Sequence, residues 1–164
     1  MPEENEYKIN QKEVRALVVH CGDPRFQQPF QDFIQKQLGF QPGTYVPLVI
    51  PGGLSSMAAP ETYPKQFKVL KDNITFYLDH FGSIKTIVLI NHEDCKGYAV
   101  LKDKIGASLL GYAKDIISKQ KIDLTTMVKL ILEMPSAKAN FRVYFAKFAD
   151  DKHEKVIFEE LLQK

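Results

Sequence analysis

Three short runs of β-branched and aliphatic residues set the frame for this chain. Residues 14–20 (VRALVVH), 45–50 (YVPLVI) and 86–90 (TIVLI) are each long enough for a buried strand and too short for a stable helix. Each run is cut off by residues that break regular structure. These are Cys21-Gly22-Asp23-Pro24, then Pro51-Gly52-Gly53, then Asn91-His92-Glu93-Asp94-Cys95. Between the runs, apolar residues return at helical spacing. Phe26, Phe30, Phe33, Ile34 and Leu38 make one such face, with Pro29 in its first turn and Gly39 as its stop. Phe67, Leu70, Ile74, Tyr77, Leu78 and Phe81 make a second, closed by Gly82. Alternating strands and helices predict an α/β fold, a mainly parallel β-sheet flanked by helices. Residues 97–133 read as mostly helical, with Asp123 as N-cap of the segment holding Met127, Leu130 and Ile131. Residues 142–148 (RVYFAKF) read as a strand, so a C-terminal strand or hairpin is expected at the sheet edge. After a turn at 150–153, residues 156–158 either pair back as a hairpin or open a last helix.

Length suits one domain: 164 residues, with 1–12 as a loose polar arm. No apolar run approaches the roughly 18–20 residues of a membrane span. The polar, acidic start of the chain resembles neither a signal nor a transit peptide, so the expected compartment is the cytoplasm, where thiols stay reduced. Lys and Arg number 22 against 20 Asp and Glu, a net charge of +2 that gives no argument for a nucleic-acid partner. Two cysteines cannot build a disulfide framework.

Both cysteines and His92 fall just beyond the C-terminal ends of expected parallel strands, the edge where open α/β sheets bind ligands. His92 and Cys95 stand three residues apart, and the loop carrying Cys21 follows a neighbouring strand. Two thiolates and an imidazole suit Zn²⁺, which takes Cys and His at about 2.0–2.3 Å. With no third Cys, the fourth position falls to water or an oxygen ligand, the pattern of a catalytic zinc. Asp23 could orient a zinc-bound hydroxide, or it could take that fourth position itself. Arg25, one of only three arginines, can grip the Asp23 carboxylate bidentately.

Cys21-x-Asp23-x-Arg25, the later His92-x-x-Cys95 and the Pro51-Gly52-Gly53 loop together resemble the β-class carbonic anhydrase family. The likeness runs over nearly the whole chain. It implies a zinc enzyme, built as a homodimer or higher assembly, in which hydroxide on zinc attacks CO₂ to give bicarbonate. It implies Cys21, His92 and Cys95 as zinc ligands and Asp23 with Arg25 as a gating pair. The chain departs from the family's usual pattern in having Val49-Ile50-Pro51-Gly52 where Arg-Asn-Ala-Gly is usual. It also has Lys96-Gly97 where Gly-Gly is usual. Two alternatives stay open: a hydrolase of another small electrophile such as carbonyl sulfide, and a zinc-binding regulatory protein with Asp23 on the metal.

The remaining candidates have structural readings beside functional ones. Gly52 and Gly53 either permit a tight turn or bring backbone close to the substrate. His20 should face away from Cys21 across the strand. Glu93 and Asp94 could steady His92 or face solvent. Tyr98 either lines the pocket or packs in the following helix, with packing the expectation. Phe26, Phe30 and Phe33 are expected in the core or at a subunit contact. Lys102, Lys104, Lys114, Lys119 and Lys121 are expected on a solvated helical surface.

Overall fold

A computed structural model describes residues 6–105 and 116–163. Its elements run β1 (Ala16–Cys21), a short 3₁₀ turn (Pro24–Phe26), α1 (Gln27–Asp32) continued by a π-helical turn (Phe33–Gln37), β2 (Tyr45–Ile50), α2 (Ser55–Ala58), α3 (Pro64–His80), β3 (Thr86–His92), α4 (Lys96–Ile105), α5 (Ile116–Leu132), β4 (Asn140–Phe148) and β5 (Val156–Gln163). The five strands form one sheet in the order β2-β1-β3-β4-β5. The first three pairings are parallel and the last is antiparallel. This is the α/β architecture the alternating pattern predicts. Residues 156–158 belong to a long antiparallel strand and not to a helix.

Strand composition follows position in the sheet. β1 and β3 lie between other strands and are buried along almost their whole length, so both faces are apolar. β2 is an edge strand and tolerates the exposed Pro47, which has no N–H to give. On one face, Leu17, Val19, Ile87 and Leu89 meet Leu70 and Ile74 of α3 and Leu124, Met127 and Ile131 of α5. On the other, Ala16, Val18, Val88 and Ile90 meet Phe26, Phe30, Phe33 and Ile34. Those three phenylalanines are thus core residues within the protomer, not a subunit contact. Burying each is worth roughly 1.5–3 kcal/mol. His20 lies on their face, its ring 4.7 Å from that of Phe30, as the strand period predicts.

Asp123 is not an N-cap. It lies inside α5, buried, with its carboxylate paired to Lys119 one turn earlier. Lys119 is half-buried against Asp123, and Lys121 reaches across to Glu159 of β5, so neither belongs to a free lysine surface. Lys114 lies outside the described residues. No helix among the described residues is long and apolar enough to cross a membrane.

Glu159 ties the edge strand down, accepting from Lys121 Nζ at 3.0 Å and from Lys147 Nζ at 3.3 Å. Lys121 first, then Lys147, holds its carboxyl below the ordinary glutamate range. A folded value below the unfolded one means stability is present above the unfolded value and lost as pH falls through the folded one. Glu159→Gln is therefore expected to cost about 0.5 kcal/mol at pH 7 in urea unfolding. That difference should vanish in acid, below the folded value.

Candidate metal centre

The parallel register sets the site. His20 stands opposite Ile90, so β1 and β3 end together, with Cys21 the last residue of one and His92 of the other. Cys95 precedes α4, its carbonyl accepting from Ala99 N–H at 3.0 Å. The ligating atoms of Cys21, His92 and Cys95 lie within 4.8 Å of one another, and all three residues are buried.

The imidazole is oriented before any ligand arrives. Nδ1–H donates to the Glu93 carbonyl at 2.7 Å, which leaves Nε2 as the free acceptor. The Phe26 ring lies against it at 4.1 Å. Nε2 is buried with no hydrogen-bond partner among the described residues. Such an orphan costs about 1–3 kcal/mol unless something binds it. The two thiols are coupled. The Cys95 S–H, and next His92, draw the Cys21 thiol down, while the Cys21 sulfur and then burial push Cys95 up. Two soft sulfurs and one orphaned imidazole nitrogen fit zinc, whose tetrahedral donors stand roughly 3.5–3.8 Å apart.

Arg25 joins the loops that follow β1 and β3. Asp23 caps the 3₁₀ turn, its Oδ1 accepting from Arg25 N at 3.0 Å. Arg25 Nε and Nη2 then donate to Asp23 Oδ1 and Oδ2 at 3.1 and 2.7 Å. Arg25 Nη1 reaches Asp94 Oδ2 at 2.8 Å, and Nη2 reaches the Asp94 carbonyl at 3.1 Å. Asp94 has φ of 53°, a left-handed conformation that aspartate tolerates. The guanidinium holds both carboxyls below the usual aspartate range. Asp23 is thus committed to Arg25, outside the cluster of Cys21, His92 and Cys95.

Glu93 and Asp94 each have a specific partner. The Glu93 carboxylate accepts from Phe148 N–H at 2.9 Å, fixing the peptide whose carbonyl orients His92. Gln27 and Asn91, which carry no sequence signal, also hold the site, together with Tyr98 and the two glycines. Gln27 Nε2 donates to the carbonyls of Cys21 and Asp23 at 3.0 and 2.8 Å. Asn91 and Tyr98 meet in a buried bond of 3.1 Å. Gly53 has φ of 57°, and a Cβ there would lie 3.0 Å from Asn91 Oδ1 and 3.6 Å from Cys21 Cβ. Gly52 packs backbone to backbone on Gly97.

Above the cluster opens a cleft of about 1180 Å³, lined by Asp23, Arg25, Val49, Gly52, Lys96 and Val100 among others. A Cβ on Gly97 would fall 2.1 Å from the Gly52 Cα. Gly97→Ala is therefore expected to force the two loops apart and cost about 1–3 kcal/mol in denaturant unfolding. A variant as stable as the parent would contradict this contact.

A family profile described as "Putative carbonic anhydrase" matches residues 11–135. No curated protein matches the sequence. Among solved structures, the chain is similar to a tetrameric β-carbonic anhydrase of Sordaria macrospora, at 14% identity and TM-score 0.58, covering 93% of this chain and 83% of that one. It is similar to a β-carbonic anhydrase of Trichomonas vaginalis at 16% identity and TM-score 0.53, covering 97% and 88%. A β-carbonic anhydrase of Aspergillus fumigatus matches at 15% identity and TM-score 0.50, covering 93% and 78%. The profile spans well over half of the 164 residues, and the sheet with its strand-end cluster has the fold of these neighbours. The chain belongs to the carbonic anhydrase family, as a divergent member with the β-class fold.

Proposed function

We propose that this chain is a zinc enzyme hydrating CO₂ to bicarbonate. One observation carries the reading: an orphaned, buried His92 Nε2 with two thiols beside it, next to an arginine-held carboxylate. Cys21, His92 and Cys95 would hold the ion. When bound, zinc supplies a Lewis acid that brings a water's pKa to about 7, so hydroxide is available at neutral pH. A reducing compartment such as the cytoplasm would keep both thiols competent as ligands.

The chain's own residues would do the orienting. An ionised carboxylate has about four lone-pair sites. Arg25 fills two on Asp23 Oδ1 and one on Oδ2, which leaves an acceptor on Oδ2. That oxygen would accept the nucleophile's remaining O–H and turn its lone pair toward the CO₂ carbon. Without Arg25, Asp23 could swing onto the metal and close the site, so Arg25 selects the open state. Gly52 would present its backbone to the substrate at the cleft wall, Gly53 would let that loop close on Cys21, and Val49, Ile50 and Val100 would give an apolar wall to an apolar molecule.

Zinc-loaded protein is expected to carry about one zinc per chain and to hydrate CO₂ in stopped flow. His92→Ala should lose metal and activity together, and Arg25→Lys should keep zinc but lose about 10–100-fold in kcat/KM. A parental rate no better than that of Cys21→Ser would sink the reading. Val49, Pro51 and Lys96 depart from the usual family pattern and line the cleft, which favours carbonyl sulfide as the second substrate to try.

The cleft side also fits self-association. Val49, Val69 and Val100 line it at 47, 58 and 50% exposure. The Sordaria macrospora neighbour is a tetramer. Sedimentation velocity is expected to show a dimer or larger, and a monomer at micromolar concentration would argue against that part.

A further inference from the structure

Behind the cluster, a line of buried polar groups runs from α5 to the glycine loop. Lys119 Nζ donates to Asp123 Oδ1. Tyr98 Oη donates to Asp123 Oδ2 at 3.0 Å. Asn91 Nδ2 donates to Tyr98 Oη at 3.1 Å. Leu54 N–H donates to Asn91 Oδ1 at 3.4 Å. Asn91, Tyr98 and Asp123 are all at most 3% exposed, so these three side chains are shielded from bulk solvent.

The line has a direction. A carboxylate only accepts, and a tyrosine hydroxyl has a single proton. Asp123 takes that proton, so the Tyr98 oxygen is left to accept. Asn91 must then present its NH₂ to Tyr98 and its carbonyl to the loop. The opposite amide orientation would place NH₂ against the Leu54 N–H, donor against donor. Burial raises the Asp123 carboxyl, and the Lys119 ammonium opposes that rise.

We infer that Asn91 is a positioning residue, its carboxamide orientation dictated by Tyr98 and Asp123, that sets where the Gly52–Gly53 loop stands against Cys21. The placement is direct: a Cβ on Gly53 would meet Asn91 Oδ1 at 3.0 Å and Cys21 Cβ at 3.6 Å. Asn91 also directly precedes His92, so one residue touches the glycine loop and adjoins a ligand. The buried ion pair is then better understood as an orienting device than as a source of stability, since such pairs often contribute little net stabilisation. The functional weight of this loop rests on the zinc-enzyme reading, but the hydrogen-bond order does not.

The experiment is amide hydrogen exchange by NMR on the full chain and on Asn91→Ala, Tyr98→Phe and Asp123→Asn. The readout is the Leu54 amide rate divided by that of Val19 in β1, which removes any general loss of stability. All three variants are expected to raise the ratio about tenfold, with the Leu54 proton shifting upfield as its acceptor is lost. Tyr98→Phe and Asp123→Asn keep nearly the same shape and never touch Leu54, so packing alone would leave the ratio unchanged. An unchanged ratio in these two overturns the inference, even if Asn91→Ala raises it. A chain that failed to hydrate CO₂ would still give the expected exchange pattern, so the two readings fail separately.

Discussion

Parallel pairing of β1 with β3, His20 beside Ile90, is the constraint on which the site depends. It brings two loops that are far apart in sequence to the same edge and the same depth. Cys21 arrives from one loop, His92 and Cys95 from the other, and no single loop could supply all three. A one-residue slip of β3 would turn His92 to the opposite face and separate the donors. The apolar faces of both strands forbid that slip, because Ile87 and Leu89 would trade places with Val88 and Ile90 against differently shaped helix layers. Core packing therefore holds the geometry of the Cys21–His92–Cys95 cluster.

Arg25 then closes what the register begins. Its guanidinium binds the carboxylate on its own loop and both the carboxylate and carbonyl of Asp94 on the other. Lysine could not span these acceptors, since the task needs a planar fork. The same contact keeps Asp23 ionised and turned from the sulfurs. On the proposed function, the residue that joins the two loops would also be the one that keeps Asp23 off the metal.

Much of this was legible in the residues. Short β-branched runs alternating with periodic helices specify the parallel sheet, because only that arrangement buries both strand faces. The donor set stood out because two cysteines and a histidine all fall at strand ends. Asp123 departs from the expected cap for a physical reason: aspartate before an apolar helical run is a common cap, and nothing local shows that Lys119 and the buried Tyr98 await its carboxylate. Long-range polar contacts leave no periodic trace. The same holds for Gln27, and for Gly97, whose need to be glycine comes from Gly52, 45 positions earlier in the chain. The Phe26–Phe33 helix could not be assigned to core or interface from spacing alone, since both bury the same face.

The central claim is the donor set, and X-ray absorption at the zinc edge of the loaded protein tests it most directly. Two sulfurs at about 2.3 Å and one nitrogen at about 2.0–2.1 Å, with a light fourth atom, are expected. A first shell with fewer than two sulfurs would contradict the assignment of Cys21 and Cys95, and with it the account of how this fold builds its site.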